Sequence, residues 1–280
     1  MSLQQPLKGT TKRKNVEEDE EDKEIVNVDF DFFNIDEIDY HAIKHLLVQL
    51  FHSDAEHLEL HTLTDLILQQ NHIGSTIKVD GKESDPYAFL TAIGINKNKE
   101  NSAVEKMSNY LLNRAKSSSN QTLHSTLSQL LSDSSSNIAL LLGERLVNMP
   151  VVLIPHMLRF LLEELETASQ EDSTYKYTHF LIPTRTYIEQ DNDVDMDDEA
   201  PAKKKRGGGS SKLQTFHPED DMTQDFTDLV ADYQYQHVVT REQDAFGADV
   251  RGRLILIEAK TFKDQVLPRM IQVTTEAAGL

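Results

Sequence analysis

Between Val26 and Phe51 the chain changes its hydrophobic period, and that change constrains the fold more than any other feature. Val26, Val28, Phe30 and Phe32 share one face of an extended segment, with Asp29 and Asp31 on the other. From Ile43 the spacing turns helical, and Ile43, Leu46, Leu47 and Leu50 form one stripe running to Phe51. Asp36, Glu37 and Asp39 lie between the two patterns, bringing negative charge to a helix start, where the dipole favours it. A half-buried strand feeding an amphipathic helix is a core-building unit.

The rest of the chain alternates between the same two periods. A second helix is expected over Leu58–Gln70, with Leu63, Leu66 and Ile67 inward and Gly74 as a left-handed cap. Ser75–Val79 and Tyr87–Ile95 alternate as strands around an Asp80-Gly81 turn and are expected to form an antiparallel hairpin. Helices follow over Lys99–Lys116 and Leu123–Leu131. The continuous apolar run Ile138–Leu142 suits a strand buried on both faces. Further helices are expected over Pro155–Leu165, Glu219–Ala231 and Lys263–Val273. Further strands are expected over Tyr175–Ile182 (continued by Arg185–Ile188), Tyr233–Val239 and Leu254–Ile257. About six strands and six or seven helices predict an α/β (mixed α+β) fold, with a single mixed central sheet flanked by helices.

Charge divides the chain differently. Of 47 acidic residues, seven lie in Glu17–Glu24 and seven in Glu189–Glu199, leaving 33 against 28 bases, so most of the −19 net charge resides in two blocks. Residues 1–24 read as a disordered charged arm and 190–212 as a disordered acidic and basic loop. That loop is inserted in one folded domain made of 25–189 and 213–280. The chain has no cysteine, which excludes disulfides and thiolate chemistry and favours a reducing compartment. No apolar run approaches the roughly 20 residues a membrane helix needs, so no membrane association is expected. An acidic surface repels phosphate, so direct nucleic-acid binding is not expected either, whereas basic proteins are attracted. The absence of coiled-coil heptads favours a monomer.

Chemical motifs are scarce. His41/His45 and His57/His61 have the i, i+4 spacing of zinc helices. Yet no HExxH glutamate sits between them, and His41, His45 and His52 fall opposite the apolar stripe, on a solvated face. Gly207–Lys212 (GGGSSK) holds the letters of a phosphate loop in the wrong order, and Asp244–Gly247 (DAFG) lacks the companions of a kinase metal motif. No catalytic, cofactor-binding or metal-binding residues are assigned, no cofactor is expected, and the chain reads as a non-enzyme. Two features carry function. Lys203, Lys204, Lys205 and Arg206 form a compact basic run suited to nuclear localisation, with Lys12–Lys14 as a second cluster. Glu189, Asp191, Asp193, Asp195, Asp197, Asp198 and Glu199 form a polyanion able to attract a basic client. Exposed positions on the first helix, His41, Lys44 and His45, are candidates for a docking surface.

Several long blocks also resemble the BCCIP family, in particular its fungal branch. They are VDFDFFNIDEIDYHAIKHLLVQLF, IGSTIKVDGKESDPYAFLTAI, Ile138–Leu146 (IALLLGERL) and DAFG. The resemblance spans about Val28 to Val273 and implies a fold similar to that of GNAT acetyltransferases. The acetyltransferase pyrophosphate loop, Q/R-x-x-G-x-G/A, has no good copy: Gln70–Gly74 has one residue too many, followed by Ser75 and Thr76. The resemblance further implies a nuclear protein, shuttling to the cytoplasm, that escorts a basic large-subunit ribosomal protein and supports 60S ribosome biogenesis and nuclear export. Nuclear import and export receptors would be partners. Fungal members are also linked to export of other cargo, including a lipid kinase, and animal members to a CDK inhibitor and a recombination-repair protein. A transport adaptor and an acetyltransferase-like enzyme are therefore the alternative readings.

Overall fold

The computed structural model describes residues 29–133, 135–188, 213–237 and 249–279. Eight strands among these residues form one sheet: β1 (Asp31–Asn34), β2 (Ser75–Lys78), β3 (Ala88–Gly94), β4 (Ile138–Arg145), β5 (His179–Ile188), β6 (Leu213–Thr215), β7 (Val230–Tyr233) and β8 (Asp249–Glu258). The spatial order is β1-β2-β3-β4-β5-β8-β7, with β6 pairing to the far end of β5. Every pairing is antiparallel except β4 with β5. The expected mixed sheet is therefore present and largely antiparallel.

The sheet is buried on both faces. Helices α1 (Tyr40–Phe51), α2 (Leu60–Gln69), α3 (Ser102–Ser117) and α4 (Gln121–Ser132) cover one face. On the other lie α5 (Ile154–Glu171), α6 (Pro218–Gln224), α7 (Ala259–Thr261) and α8 (Leu267–Ala278). Period-2 alternation divides β4 between the layers: Ile138, Leu140 and Leu142 face α1–α4, and Ala139 and Leu141 face α5. The helical stripe of α1 is buried as its spacing predicts, with Ile43, Leu46, Leu47, Leu50 and Phe51 at most 2% exposed. Each such side chain contributes about 1.5–3 kcal/mol.

The acidic entry to α1 does more than meet a dipole. Asp36 and Asp39 form a reciprocal capping box around a 3-10 turn, Glu37–Asp39. Asp39 is itself buried, and its carboxylate lies 2.6 Å from the equally buried Lys78 ammonium of β2. The first helix is thus fastened to the neighbouring strand. The β2–β3 hairpin forms as expected, with Thr76 opposite Phe89. Gly74 differs from expectation. Helix α2 already ends at Gln69, with Gln70 as its cap, and Gly74, at φ +114°, makes the turn into β2. A side chain there would collide with the Leu90 carbonyl oxygen.

Other departures have physical causes. Tyr175 lies in a 3-10 turn (Ser173–Tyr175), and β5 starts at His179, then runs through Pro183 to Ile188. The helix expected over Glu219–Ala231 stops at Gln224. Thr227 then bonds the Leu256 carbonyl, and Val230–Tyr233 pairs with the edge of β8. The strand expected over Tyr233–Val239 therefore falls one element earlier, and residues 238–239 lie outside the described residues. Pro268 is accommodated because a π-helical turn, Phe262–Val266, precedes it and places it in the first turn of α8.

Candidate functional site

The parallel pair is the sheet's weak seam. Strands β4 and β5 are paired only over Ile138–Leu140 and His179–Leu181. Beyond that, β4 follows β3 to Arg145, while β5 follows β8 to Ile188. The two strands diverge and leave a wedge whose polar backbone must be met by other groups.

Charged side chains fill that wedge. Glu144, at the end of β4, is fully buried. Its carboxylate accepts hydrogen bonds from Arg185 Nε at 2.8 Å and the Arg145 backbone N–H at 2.9 Å, and lies 2.6 Å from His217 Nε2. Burial opposes ionisation, yet His217 and Arg185 together hold the Glu144 carboxyl down at about 2. Reciprocally, burial disfavours the imidazolium while Glu144 raises His217 above its ordinary value. Arg145 donates a bidentate pair to Glu219 at 2.8 and 3.0 Å. The Arg185 guanidinium lies 4.4 Å from the Phe216 ring centre. Asp220 of α6 is hydrogen-bonded to Thr184, and burial pushes its carboxyl up to about 7.

A cavity of about 80 Å³ adjoins this network, lined by Leu90, Leu141, Met157 and Met270 as well as Asp220. A perturbed carboxyl beside a cavity is a feature that active sites share. Here the space admits solvent-sized occupants, far below the 300–1,000 Å³ typical of organic ligands. Glu144, Arg185, His217, Arg145 and Glu219 are already bound to one another, Asp220 is held by Thr184, and their geometry braces the diverging strands.

Another buried carboxylate, Asp54, ties the β7 end of the chain to the α1–α2 connection. It accepts from Tyr110 Oη at 2.9 Å and from the backbone N–H groups of Gln236 and His237 at 2.8 and 3.1 Å. Burial opposes its charge, but these donors hold the carboxyl below its ordinary value. A larger opening, about 660 Å³, lies between β1 and α5.

His41 and His45 are exposed on α1 and Lys44 is half-buried, on the face away from the core. His57 and His61 do not share a helix, because Leu58 is extended between a 3-10 turn and α2. His57 packs against His237 with the rings tilted at 50° and their centres 3.6 Å apart, and His61 is hydrogen-bonded to Tyr40. Among the described residues, no group of three or more His, Asp or Glu could hold a metal ion, and no helix is long and apolar enough to cross a membrane. The basic run Lys203–Arg206, the acids Glu189–Glu199, Gly207–Lys212, Asp244–Gly247 and the N-terminal arm lie outside the described residues.

Glu144, Arg185, His217 and Asp220 escaped sequence reasoning. The one visible signal was a charged pair, Glu144-Arg145, ending an otherwise apolar run.

Fold and wedge together define a single-sheet α/β scaffold whose one divergence is braced by its own buried charges. The chain belongs to the BCCIP family, whose model matches residues 25–223. It is 43% identical to Protein bcp1 of Aspergillus oryzae, over 90% of this chain and 89% of that protein. It is 39% identical to Protein bcp1 of Schizosaccharomyces pombe, over 90% of this chain and 92% of that one. The crystal structure of BCP1 from Saccharomyces cerevisiae superposes with a TM-score of 0.63 at 27% identity, covering 94% of this chain and 97% of that chain. None of these names carries an enzymatic activity. Membership of this family, which is not a known enzyme family, points to a chaperone-like protein.

Proposed function

We propose that the protein is an acidic nuclear escort for a basic ribosomal protein of the large subunit, supporting 60S ribosome biogenesis and nuclear export. The observation that carries this reading is the surplus of carboxylate: a net charge of −19, concentrated in Glu17–Glu24 and Glu189–Glu199. Such a field captures cationic proteins before contact and keeps them from polyanionic nucleic acid. The folded sheet supplies a rigid docking surface, while Glu189–Glu199 supplies long-range attraction. Lys203–Arg206 directs import, export receptors return the protein to the cytoplasm, and it acts as a monomer. In this reading the scaffold is kin to that of GNAT acetyltransferases, with the cofactor function given up.

Attraction of this kind raises association rate more than affinity and weakens as salt screens it. The test is stopped-flow capture of salt-extracted large-subunit ribosomal proteins by the full chain and by a chain lacking Glu189–Glu199. Slower capture at low salt and a flatter salt dependence are expected from the deletion. Equal rates overturn the role of the block. Wild-type chain that captures none of these proteins overturns the escort reading itself.

A second reading is favoured by one observation, the perturbed Asp220 carboxyl beside its cavity. It is an enzyme on an acetyltransferase-like scaffold. Calorimetry with acetyl-CoA discriminates: saturable micromolar binding favours the enzyme, and no heat favours the escort.

A further inference from the structure

The opening between β1 and α5 has the chemistry of a cation seat. Its wall is the C-terminal half of α5, which presents Glu163, Glu164, Glu171 and the following Asp172. No basic residue occupies the last turn of that helix. A helix C-terminus already carries partial negative charge from its free carbonyls, so carboxylates there raise the local energy. Glu163 has only a loose, exposed partner, Arg159 at 3.9 Å, and Glu171 has no cationic partner among the described residues. The half-buried Glu164 accepts from the Gly74 N–H at 2.7 Å and faces no cation among the described residues. Such a local conflict, retained on a well-packed helix, marks a surface completed by something else.

The floor is aromatic. Phe32 of β1 meets Phe160 of α5 edge to face with ring centres 5.3 Å apart, and Tyr175 closes one end. The molecule already displays how this surface holds an ammonium group. Lys97 Nζ sits 3.6 Å from the Tyr175 ring centre and 2.9 Å from Asp172 Oδ2, a cation–π contact combined with an ion pair. Arg159 makes a looser version of the same pair, 5.3 Å from the Phe160 ring centre and 3.9 Å from Glu163, while Glu164, Glu171 and the Phe32 ring hold no cation among the described residues. Ser75, 5% exposed, also lines the groove, and its hydroxyl has no hydrogen-bond partner among the described residues. Along the same opening, β1 ends the sheet and is paired on one side only among the described residues. Its other side offers backbone donors and acceptors to an extended chain.

We infer that this groove seats an extended, lysine- or arginine-bearing segment of the client protein, its cationic side chains entering among Glu163, Glu164, Glu171 and the aromatic floor. The inference rests on the escort reading and gives the client's docking surface a location on the fold. Carboxylates on an aromatic floor exclude phosphate-bearing partners and favour guanidinium or ammonium groups.

The chain contains no cysteine, so a single introduced thiol reports position. Thr167→Cys places one on the exposed rim of the groove, and Ser132→Cys places a control on α4, in the opposite helix layer. The probe is a short peptide of alternating lysine and valine bearing one activated cysteine, with an alternating glutamate and valine peptide as its counterpart. In full-length chain at low salt, the thiol at 167 is expected to trap the lysine peptide about tenfold faster than the thiol at 132. That preference should vanish for the glutamate peptide, in high salt, and in Glu163→Lys/Glu171→Lys. Equal trapping at the two positions, or a preference that survives the double reversal, overturns the inference. Trapping that emerges only after residues 1–24 are removed assigns the groove to the chain's own Lys12–Lys14 run and overturns the client assignment. Capture of salt-extracted ribosomal proteins, measured in parallel, separates the two levels. Undiminished capture by the double reversal leaves the escort standing without this groove. Trapping at 167 by a chain that captures no ribosomal protein upholds the groove and overturns the escort.

Discussion

The wedge between β4 and β5 and the groove between β1 and α5 are built from the same residue types and treat them in opposite ways. In the wedge, Glu144 is stripped of water and saturated by Arg185, His217 and a backbone N–H, so the charge braces the fold. In the groove, Glu163 and Glu171 remain solvated and nearly unpaired, and Glu171 sits at a helix end that disfavours it. A buried charge must be satisfied within the chain, because no solvent can do it. An exposed one can wait for a partner. The contrast separates carboxylates that hold the shape from carboxylates that the shape presents.

The largest effect is expected from Glu144→Leu, which leaves Arg185 and His217 buried without their counter-charge. It should destabilise the protein by about 3–5 kcal/mol in denaturant unfolding. A loss near zero would mean that the wedge is not braced by charge. Gly74→Ala comes next, because φ is +114° and the Leu90 carbonyl leaves no room for a Cβ. Its cost should be about 1–3 kcal/mol by the same measurement, and it should also loosen the groove by shifting the N–H that Glu164 accepts.

The wedge also carries a pH signature. Asp220 rises from 3.8 to about 7 on folding, so its stabilisation is full below about pH 4 and is lost as pH climbs to 7. His217 acts in the same direction, its contribution fading as pH rises through its raised folded value. Glu144 acts oppositely: it is lowered from 4.5 to about 2, so its contribution is present above pH 4.5 and lost as pH falls towards 2. Urea midpoints should therefore peak in mildly acidic buffer, and Asp220→Asn should flatten the decline between pH 4 and 7. A decline unchanged by that substitution would remove Asp220 from the account.

The smallest effect is expected in the groove. Glu171→Lys should leave stability unchanged or raise it by about 0.3–1 kcal/mol, because a cation suits the end of α5. Destabilisation by more than about 1 kcal/mol would show that this carboxylate is structural and dissolve the contrast.

The β2–β3 hairpin and the α1 stripe could be read in advance because their partners are near in sequence and their periods are long enough to distinguish. The β7 strand could not. Pro218 and the acids after it are a sound helix start, and only the edge of β8, some 20 residues on, draws Val230–Tyr233 into extended pairing. Glu144 was hidden for the same reason, its side-chain partners lying 41 and 73 residues away. The groove was hidden too, since Phe32 and Phe160 meet only when α5 packs across the sheet.

Local chemistry settled the acidic character, the lack of thiols, the alternation of strand and helix, and the family to which the chain belongs. Those properties depend on composition and on short-range order, which survive without a fold. The parallel seam, the brace of Glu144, Arg185 and His217, and the acidic groove beside β1 arose from long-range pairing. Burial then decided which carboxylates had to be neutralised within the protein and which were left for a partner.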